Sequence, residues 1–320
     1  MTENSVREGI RVVVGGPVSV EQFERIRLAV PEAAMTYCPT PADIEANLDG
    51  AEVLAGSISG RLLAKSPGLK WIQGWAAGTD GLMSPELLAS PVVVTSCKSN
   101  GAWSLAEHAL MLMLMLNRDM PRWSRAQAEH RWDYWRHPEI NGLTCGIIGL
   151  GFSGQDLARK AKAFHMRVVG IRRTDQPTPE VDRVYSRSEL PEMLAESDFV
   201  VVTAPRTPET RDMLGEAEFR AMKKSAFYVC ISRGGIANDA ALLRALEEGW
   251  IAGAGLDAHS IEPLPADSPF WTAPNTIVTP HGAASTPMSR ERGVDIFIDN
   301  LRRYSRGQPL LNIVDKEAGY

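Results

Sequence analysis

The stretch Cys145-Gly-Ile-Ile-Gly-Leu-Gly-Phe-Ser-Gly154 restricts the possible folds of this chain more than any other. It reads as a buried strand entering a tight glycine turn and then a helix, placed over Gln155 to His165. Gly149 permits the turn, Gly151 lets a pyrophosphate approach the backbone, and Gly154 lets helix and strand pack closely. The N–H groups of Phe152 and Ser153 at the helix start would face a phosphate. Glycine-rich turns also occur with no ligand. Here, however, a strand precedes the turn, a helix follows it, and a second strand, Arg167 to Ile171, comes next, which is the context of a dinucleotide site.

The residues after that second strand bear on which dinucleotide. An NAD site offers Asp or Glu to the ribose hydroxyls, whereas an NADP site offers Arg to the 2′-phosphate. Here Ile171 is followed by Arg172, Arg173 and Thr174, and Asp175 comes three residues too late. A solvated arginine pair is the plain alternative. A guanidinium matches phosphate geometry, so the expectation is NADP(H), with NAD(H) as the second possibility.

At 320 residues, with 44% hydrophobic and 23% charged residues, the chain suits a globular protein of two domains. A net charge of −5 argues against nucleic acid or an anionic membrane as partner. Cys38, Cys97, Cys145 and Cys230 are widely spaced, which suggests reduced thiols, a cytoplasmic location and no metal site. The amino-terminal Met-Thr-Glu-Asn-Ser-Val-Arg-Glu-Gly lacks the apolar core of a signal peptide, and Ala109 to Leu116 is too short to span a bilayer. The latter reads as a packed helix interior.

Strands and helices alternate, which predicts an α/β fold with parallel sheets. A first unit has strands near Arg11–Val14, Met35–Cys38, Glu52–Ala55, Trp71–Gly74 and Val92–Thr95, with a helix at Val20–Ala29. Ser104-Leu-Ala-Glu107 has the pattern of a capping box opening a helix to about Leu116. A Trp-rich segment follows (Trp123, Trp132, Trp135). A second unit then adds strands near Asp198–Thr203, Ala226–Ile231, Ile251–Asp257 and Thr276–Val278. Its helices fall near Arg187–Ala195 and Asp239–Glu248, the latter capped by Asn238, and Pro287 opens a last helix.

Ligands of such sheets bind beyond the carboxyl ends of the strands, which singles out Arg233, Glu262 and His281. Individually they read as an ion-pair partner, a loop charge and a loop histidine. Together they supply a cation for a carboxylate, a titratable imidazole and an acid to orient it.

Four motifs then carry a resemblance over essentially the whole chain. They are Gly149–Gly154; Thr203-Ala-Pro-Arg-Thr-Pro-Glu-Thr210; Ile231-Ser-Arg-Gly-Gly235; and Leu256-Asp257 leading to Glu262-Pro-Leu-Pro265, closed by Thr279-Pro-His-Gly282. In order and separation they resemble the D-isomer-specific 2-hydroxyacid dehydrogenases, most closely the glyoxylate/hydroxypyruvate reductase type. The ending from Asn312 through Gly319-Tyr320 adds to the likeness.

The resemblance implies two Rossmann-like or flavodoxin-like domains with the active site in the cleft between them. Residues 1–103 and 286–320 would form the substrate-binding domain, and 104–285 the dinucleotide-binding domain. It further implies that His281 exchanges a proton with the substrate oxygen, that Glu262 fixes the imidazole tautomer, and that Arg233 binds the carboxylate and polarises the carbonyl. Cofactor contacts would come from Gly149, Gly151, Phe152, Ser153, Gly154, Arg172, Arg173 and Thr174. Further ones would come from Thr203, Ala204, Pro205, Ile231, Ser232, His281 and Gly282, with Asp257 on the nicotinamide carboxamide. Ala77 and Gly78 would offer backbone N–H groups to the substrate carboxylate, with Trp75 and Trp103 among the pocket walls. A homodimer through the cofactor domain is implied, with Trp135 reaching the neighbouring cleft. The expected reaction is NAD(P)-dependent reduction of glyoxylate or hydroxypyruvate to the D-2-hydroxy acid. A larger 2-oxo acid or 3-phosphoglycerate is the second possibility, and a nucleotide-sensing binding module or corepressor the alternative from another class. The chain departs from the family at Cys230 (usually Asn), Ala258 (usually bulky), His259 (usually Phe) and Ser153 (usually Ile or Val), while Glu262 separates it from the formate dehydrogenase branch.

Overall fold

The computed structural model describes residues 7–174 and 176–317. Residues 1–6, Asp175 and the terminal Gly319-Tyr320, which all entered the reading of the sequence, lie outside the described residues, as does Ala318. The chain divides into two compact units, one from Met1–Asn100 with Thr286–Tyr320 and one from Gly101–Ser285.

The first unit holds a parallel sheet of β1 (Ile10–Gly15), β2 (Ala33–Cys38), β3 (Val53–Ala55), β4 (Trp71–Gln73) and β5 (Val93–Thr95), in the order β2-β1-β3-β4-β5. This is the flavodoxin-like order. Successive side chains alternate between faces. Ile10, Val12 and Val14 pack with Phe23 and Ile26 of the helix Val20–Ala29 and with Val294, Phe297 and Leu301 of the helix Pro287–Ser305. Val13, Leu54 and Ile72 face Ile44, Leu63 and Leu87 on the opposite side. With both faces covered, the strands are nearly all apolar.

The closing helix is tied to this sheet by a buried polar network. Trp71 Nε1 donates to Thr95 Oγ1 at 2.7 Å, and that hydroxyl donates to Gln73 Oε1 at 2.8 Å. Asn300 Nδ2 donates to the same Gln73 oxygen at 3.2 Å, while Asn300 Oδ1 accepts the Leu311 amide at 2.7 Å. Gln73, Thr95 and Asn300 are all fully buried, so each bond made here avoids a desolvation cost.

In the second unit, β6 (Thr144–Ile148), β7 (Arg167–Ile171), β8 (Arg183–Tyr185), β9 (Phe199–Val202), β10 (Phe227–Cys230), β11 (Gly253–Leu256) and β12 (Thr276–Val278) form one parallel sheet. Its order is β12-β11-β10-β9-β6-β7-β8. Counted from β6 this is the dinucleotide-binding order with one strand added, and the topological switch lies between β6 and β9. The helices Ala102–Asn117 and Phe152–Ala163 cover one face through Ala109, Leu112, Met113, Leu157 and Ala161. The helices Leu190–Glu196, Glu216–Ala221 and Asp239–Glu247 cover the other. The apolar run Ala109 to Leu116 is thus a helix interior. Among the described residues no helix is long and apolar enough to cross a membrane.

Two expectations about helix starts are corrected. The helix expected from a Ser104 capping box begins at Ala102 with Gly101 as its cap, and the Ser104 hydroxyl bonds back to the Gly101 carbonyl at 3.0 Å. Ser104 therefore lies inside the first turn, where a hydroxyl reaches a preceding carbonyl and not a free amide. The helix after the glycine turn begins at Phe152 and not at Gln155, because Gly151 serves as its cap. The helix Met120–Ala128 and strand β8 were not anticipated.

Replacing Asn300 with Leu should strand the Leu311 amide and one lone pair of Gln73. The expected loss, read by urea unfolding, is about 2–4 kcal/mol. Stability equal to the parent protein would show that the network contributes nothing net.

Candidate active site

The Gly101–Ser285 unit presents its chemistry along one sheet edge. Gly149 follows β6, Arg172 follows β7, Thr203 follows β9, Arg233 follows β10, Asp257 follows β11 and His281 follows β12. On ordinary strand spacing, β7 to β10 spans about 14 Å of that edge.

The glycine turn has the shape a pyrophosphate needs. Gly149 adopts φ +100°, and a Cβ there would meet the Ala204 backbone at 2.7 Å. A Cβ on Gly154 would meet the Gly149 carbonyl oxygen at 2.1 Å, so strand and helix lie too close for any side chain. At Gly151 a Cβ would meet nothing within 4 Å, leaving open space beside the helix start. The Thr203 hydroxyl bonds the Gly149 carbonyl and its amide donates to Ile148 O at 2.9 Å, which fastens the turn across the switch point. The Ser232 hydroxyl is buried with no hydrogen-bond partner, an orphan that a bound group could satisfy. These residues fit a nicotinamide dinucleotide. Arg172 is half-buried, with Nη1 donating to Thr178 Oγ1 at 3.1 Å, and Arg173 and Thr174 are exposed.

Glu262 and His281 are brought together. Nδ1 of His281 lies 2.9 Å from Oε1 and 2.8 Å from Oε2 of Glu262. A carboxylate only accepts, so Nδ1 carries the proton and Nε2 is the ring nitrogen that Glu262 does not engage. Burial acts to raise the Glu262 pKa. The His259 amide, which donates to Oε1 at 2.9 Å, and the His281 ring outweigh it and hold the carboxyl below the ordinary glutamate range. His281 itself has φ +50°, a left-handed conformation uncommon for a residue with a Cβ.

That conformation is held by Asp257. Its carboxylate is fully buried and accepts the Thr279 hydroxyl at 2.7 Å, the Gly282 amide at 3.0 Å and the Ala283 amide at 3.0 Å. His108 Nε2, on the helix Ala102–Asn117, lies 3.0 Å from Thr279 Oγ1 and 3.5 Å from Asp257 Oδ1. Asp257 thus acts as a clamp on the loop that carries His281. His108 was not among the expected residues, and nothing in its local sequence marks it.

Arg233 is half-buried at the turn after β10, with Nη1 donating to the Ser232 carbonyl at 2.7 Å. Cys230 supports that turn, its Sγ donating to the Arg233 carbonyl at 3.2 Å. Burial raises the Cys230 thiol pKa and keeps it protonated as a donor. A Cβ on Gly234 would lie 2.0 Å from the His259 backbone, so the Arg233 turn and the His259–Ser260 loop touch main chain to main chain.

In the first unit, Ala77 and Gly78 follow β4, in a loop where the Ala76 carbonyl accepts the Cys97 amide at 3.0 Å. Trp75 turns inward and donates to the Gly15 carbonyl at 2.7 Å. Trp135 lies in an aromatic group with Trp123 and His137 of its own chain, at ring separations of 6.5 and 5.8 Å. Trp132 is the exposed member of that segment, at 95%. Among the described residues no cluster suited to a metal ion occurs.

The family model for the NAD-binding domain of D-isomer-specific 2-hydroxyacid dehydrogenases matches residues 110–283. A glyoxylate reductase of Korarchaeum cryptofilum is 34% identical over 275 residues, covering 83% of this chain and 82% of that one. A solved member of the same family from Aeromonas salmonicida superposes with a TM-score of 0.88 at 30% identity, covering 98% of this chain and 100% of that one. The NADPH-dependent glyoxylate/hydroxypyruvate reductase of Sinorhizobium meliloti, solved with NADP and sulfate, gives 0.84 at 30% identity, covering 97% and 99%. The chain belongs to the D-isomer-specific 2-hydroxyacid dehydrogenases and is an NAD(P)-dependent oxidoreductase.

Proposed function

We propose that this enzyme reduces a small 2-oxo acid, glyoxylate or hydroxypyruvate, to the D-2-hydroxy acid, with NADP(H) preferred over NAD(H). The observation that carries the reading is the Glu262–His281 pair, with Nδ1 engaged by carboxylate and Nε2 left for substrate. The glyoxylate reductase and glyoxylate/hydroxypyruvate reductase relatives support the choice of substrate.

In the proposed mechanism Arg233 pairs with the substrate carboxylate and withdraws density from the adjacent carbonyl. The Ala77–Gly78 loop supplies carboxylate recognition from the first unit, which we assign to substrate binding, and the Gly101–Ser285 unit is assigned to the cofactor. The bound nicotinamide supplies the hydride. His281 Nε2 delivers the proton to the carbonyl oxygen, and the Glu262 carboxylate steadies the proton that remains on Nδ1. Gly149, Gly151, Phe152, Ser153 and Gly154 would hold the pyrophosphate, and Arg172 and Arg173 the 2′-phosphate. A cytoplasmic homodimer through the cofactor unit completes the reading, supported by exposed Trp103, Met111, Trp132 and Tyr134.

Replacing His281 with Ala should lower kcat on the order of a hundredfold or more, with coenzyme binding by fluorescence titration nearly unchanged. Turnover near the parent rate would remove His281 from the acid–base role.

Exchanging Arg172 and Arg173 together for Asp should reduce kcat/KM with NADPH on the order of tenfold to a hundredfold, the worth of charge-assisted bonds to phosphate, and spare NADH. Initial rates with both coenzymes decide it, and a parent enzyme that uses NADH equally well would dispose of the arginine argument.

Glu262 has a depressed pKa in the folded protein, so its stabilising contribution is complete above the ordinary glutamate range and is lost as pH falls through the lower, folded value. Urea unfolding across a pH series should show parent and Glu262→Gln stabilities separated near neutrality and converging in acid. Curves that stay parallel would contradict this.

A further inference from the structure

We infer that His259 is a positioning residue that couples Glu262 to the loop carrying His281. This rests on the reading of Glu262 and His281 as the acid–base pair. Those two residues stand on separate loops, 259–262 after β11 and 279–283 after β12, and their contact is only as well defined as the registration of one loop against the other. His259 bonds to both. Its backbone amide donates to Glu262 Oε1 at 2.9 Å, closing a short turn that bends the carboxylate back toward the strand end. Its side-chain Nε2 lies 2.9 Å from the Thr279 carbonyl oxygen, two residues before His281. A carbonyl cannot donate, so Nε2 carries the proton and the ring is a fixed donor.

Thr279 is held on its other sides as well. Its amide donates to Leu256 O at 2.9 Å, and its hydroxyl donates to Asp257 while lying 3.0 Å from His108 Nε2. The next residue is Pro280, which has no amide to hold the chain, and then comes His281 at φ +50°. A left-handed non-glycine residue persists where its surroundings over-determine it. The clamp from Asp257 fixes the far side of His281, through residues 282 and 283. On the near side the ring of His259 holds the Thr279 carbonyl while Asp257 and His108 hold its hydroxyl, and His259 alone of these groups also belongs to the turn that places Glu262. The Gly234 contact presses on the same stretch, because no side chain fits between that turn and the His259 backbone.

The test uses the full-length enzyme with NADPH and glyoxylate. His259→Phe keeps the amide and much of the ring volume but removes the donor, and His259→Met serves if Phe does not fold. His259→Gln restores a donor, and His281→Ala is the reference. The expected result is a kcat about tenfold lower in His259→Phe, with KM for NADPH unchanged and a larger solvent deuterium isotope effect as proton delivery becomes more limiting. Most of the activity should return in His259→Gln. Parent-like kcat and isotope effect in His259→Phe, alongside an inactive His281→Ala, would overturn the coupling while leaving the acid–base pair intact. Retained activity in His281→Ala would overturn the acid–base reading and this inference with it.

Discussion

A single buried carboxylate governs the active edge of this protein. Asp257 is fully removed from solvent, and an ionised carboxylate in such a place is costly unless its lone pairs are occupied. The partners that occupy them are the Thr279 hydroxyl and the amides of Gly282 and Ala283, the residues that bracket His281. The requirement to satisfy the charge is therefore also a requirement on loop shape. It allows a histidine to be held in a backbone conformation that it would otherwise rarely adopt, with its ring presented to Glu262.

The parallel sheet makes that local arrangement useful. Because every strand of the Gly101–Ser285 unit runs the same way, every loop after a strand opens on one edge. The strand order then sorts the chemistry along it. Arginines stand after β7, the glycine turn after β6, Arg233 after β10, and the Glu262–His281 pair beyond β11 and β12. The polar network of Gln73, Thr95 and Asn300 does different work in the other unit, holding a helix that is distant in sequence against the first sheet.

Much of this was readable in the residues, for identifiable reasons. The turn at Gly149–Gly154 is legible because backbone proximity admits only glycine, and glycine is visible in a sequence. Arg233, Glu262 and His281 are legible because each follows an apolar strand, where ligands of such sheets are met. Asp257 was noticed, but its function as a clamp was not, since that depends on amides 25 and 26 residues away. His108 was missed, and His259 stood out only as a departure from the family's usual Phe, for the same reason. Each makes its bond to Thr279 across the fold, and neither has a local pattern that foretells it. The start of the helix at Ala102 was misplaced because Ser104 and Glu107 have the right spacing for a cap, while the chain turns at Gly101, three residues before Ser104.

The contact at Gly234 has a consequence for anyone who would redesign this enzyme. Where two segments meet through side chains, one can be exchanged and the other repacked around it. Here the turn after β10 lies directly on the backbone of His259 and Ser260, with no side chain between them to absorb a difference. The two segments form a matched pair, to be transplanted together if at all. A grafted 259–270 loop, however well chosen, must reproduce the main-chain path of the original at that point, or it will displace Arg233 from its place beside that turn.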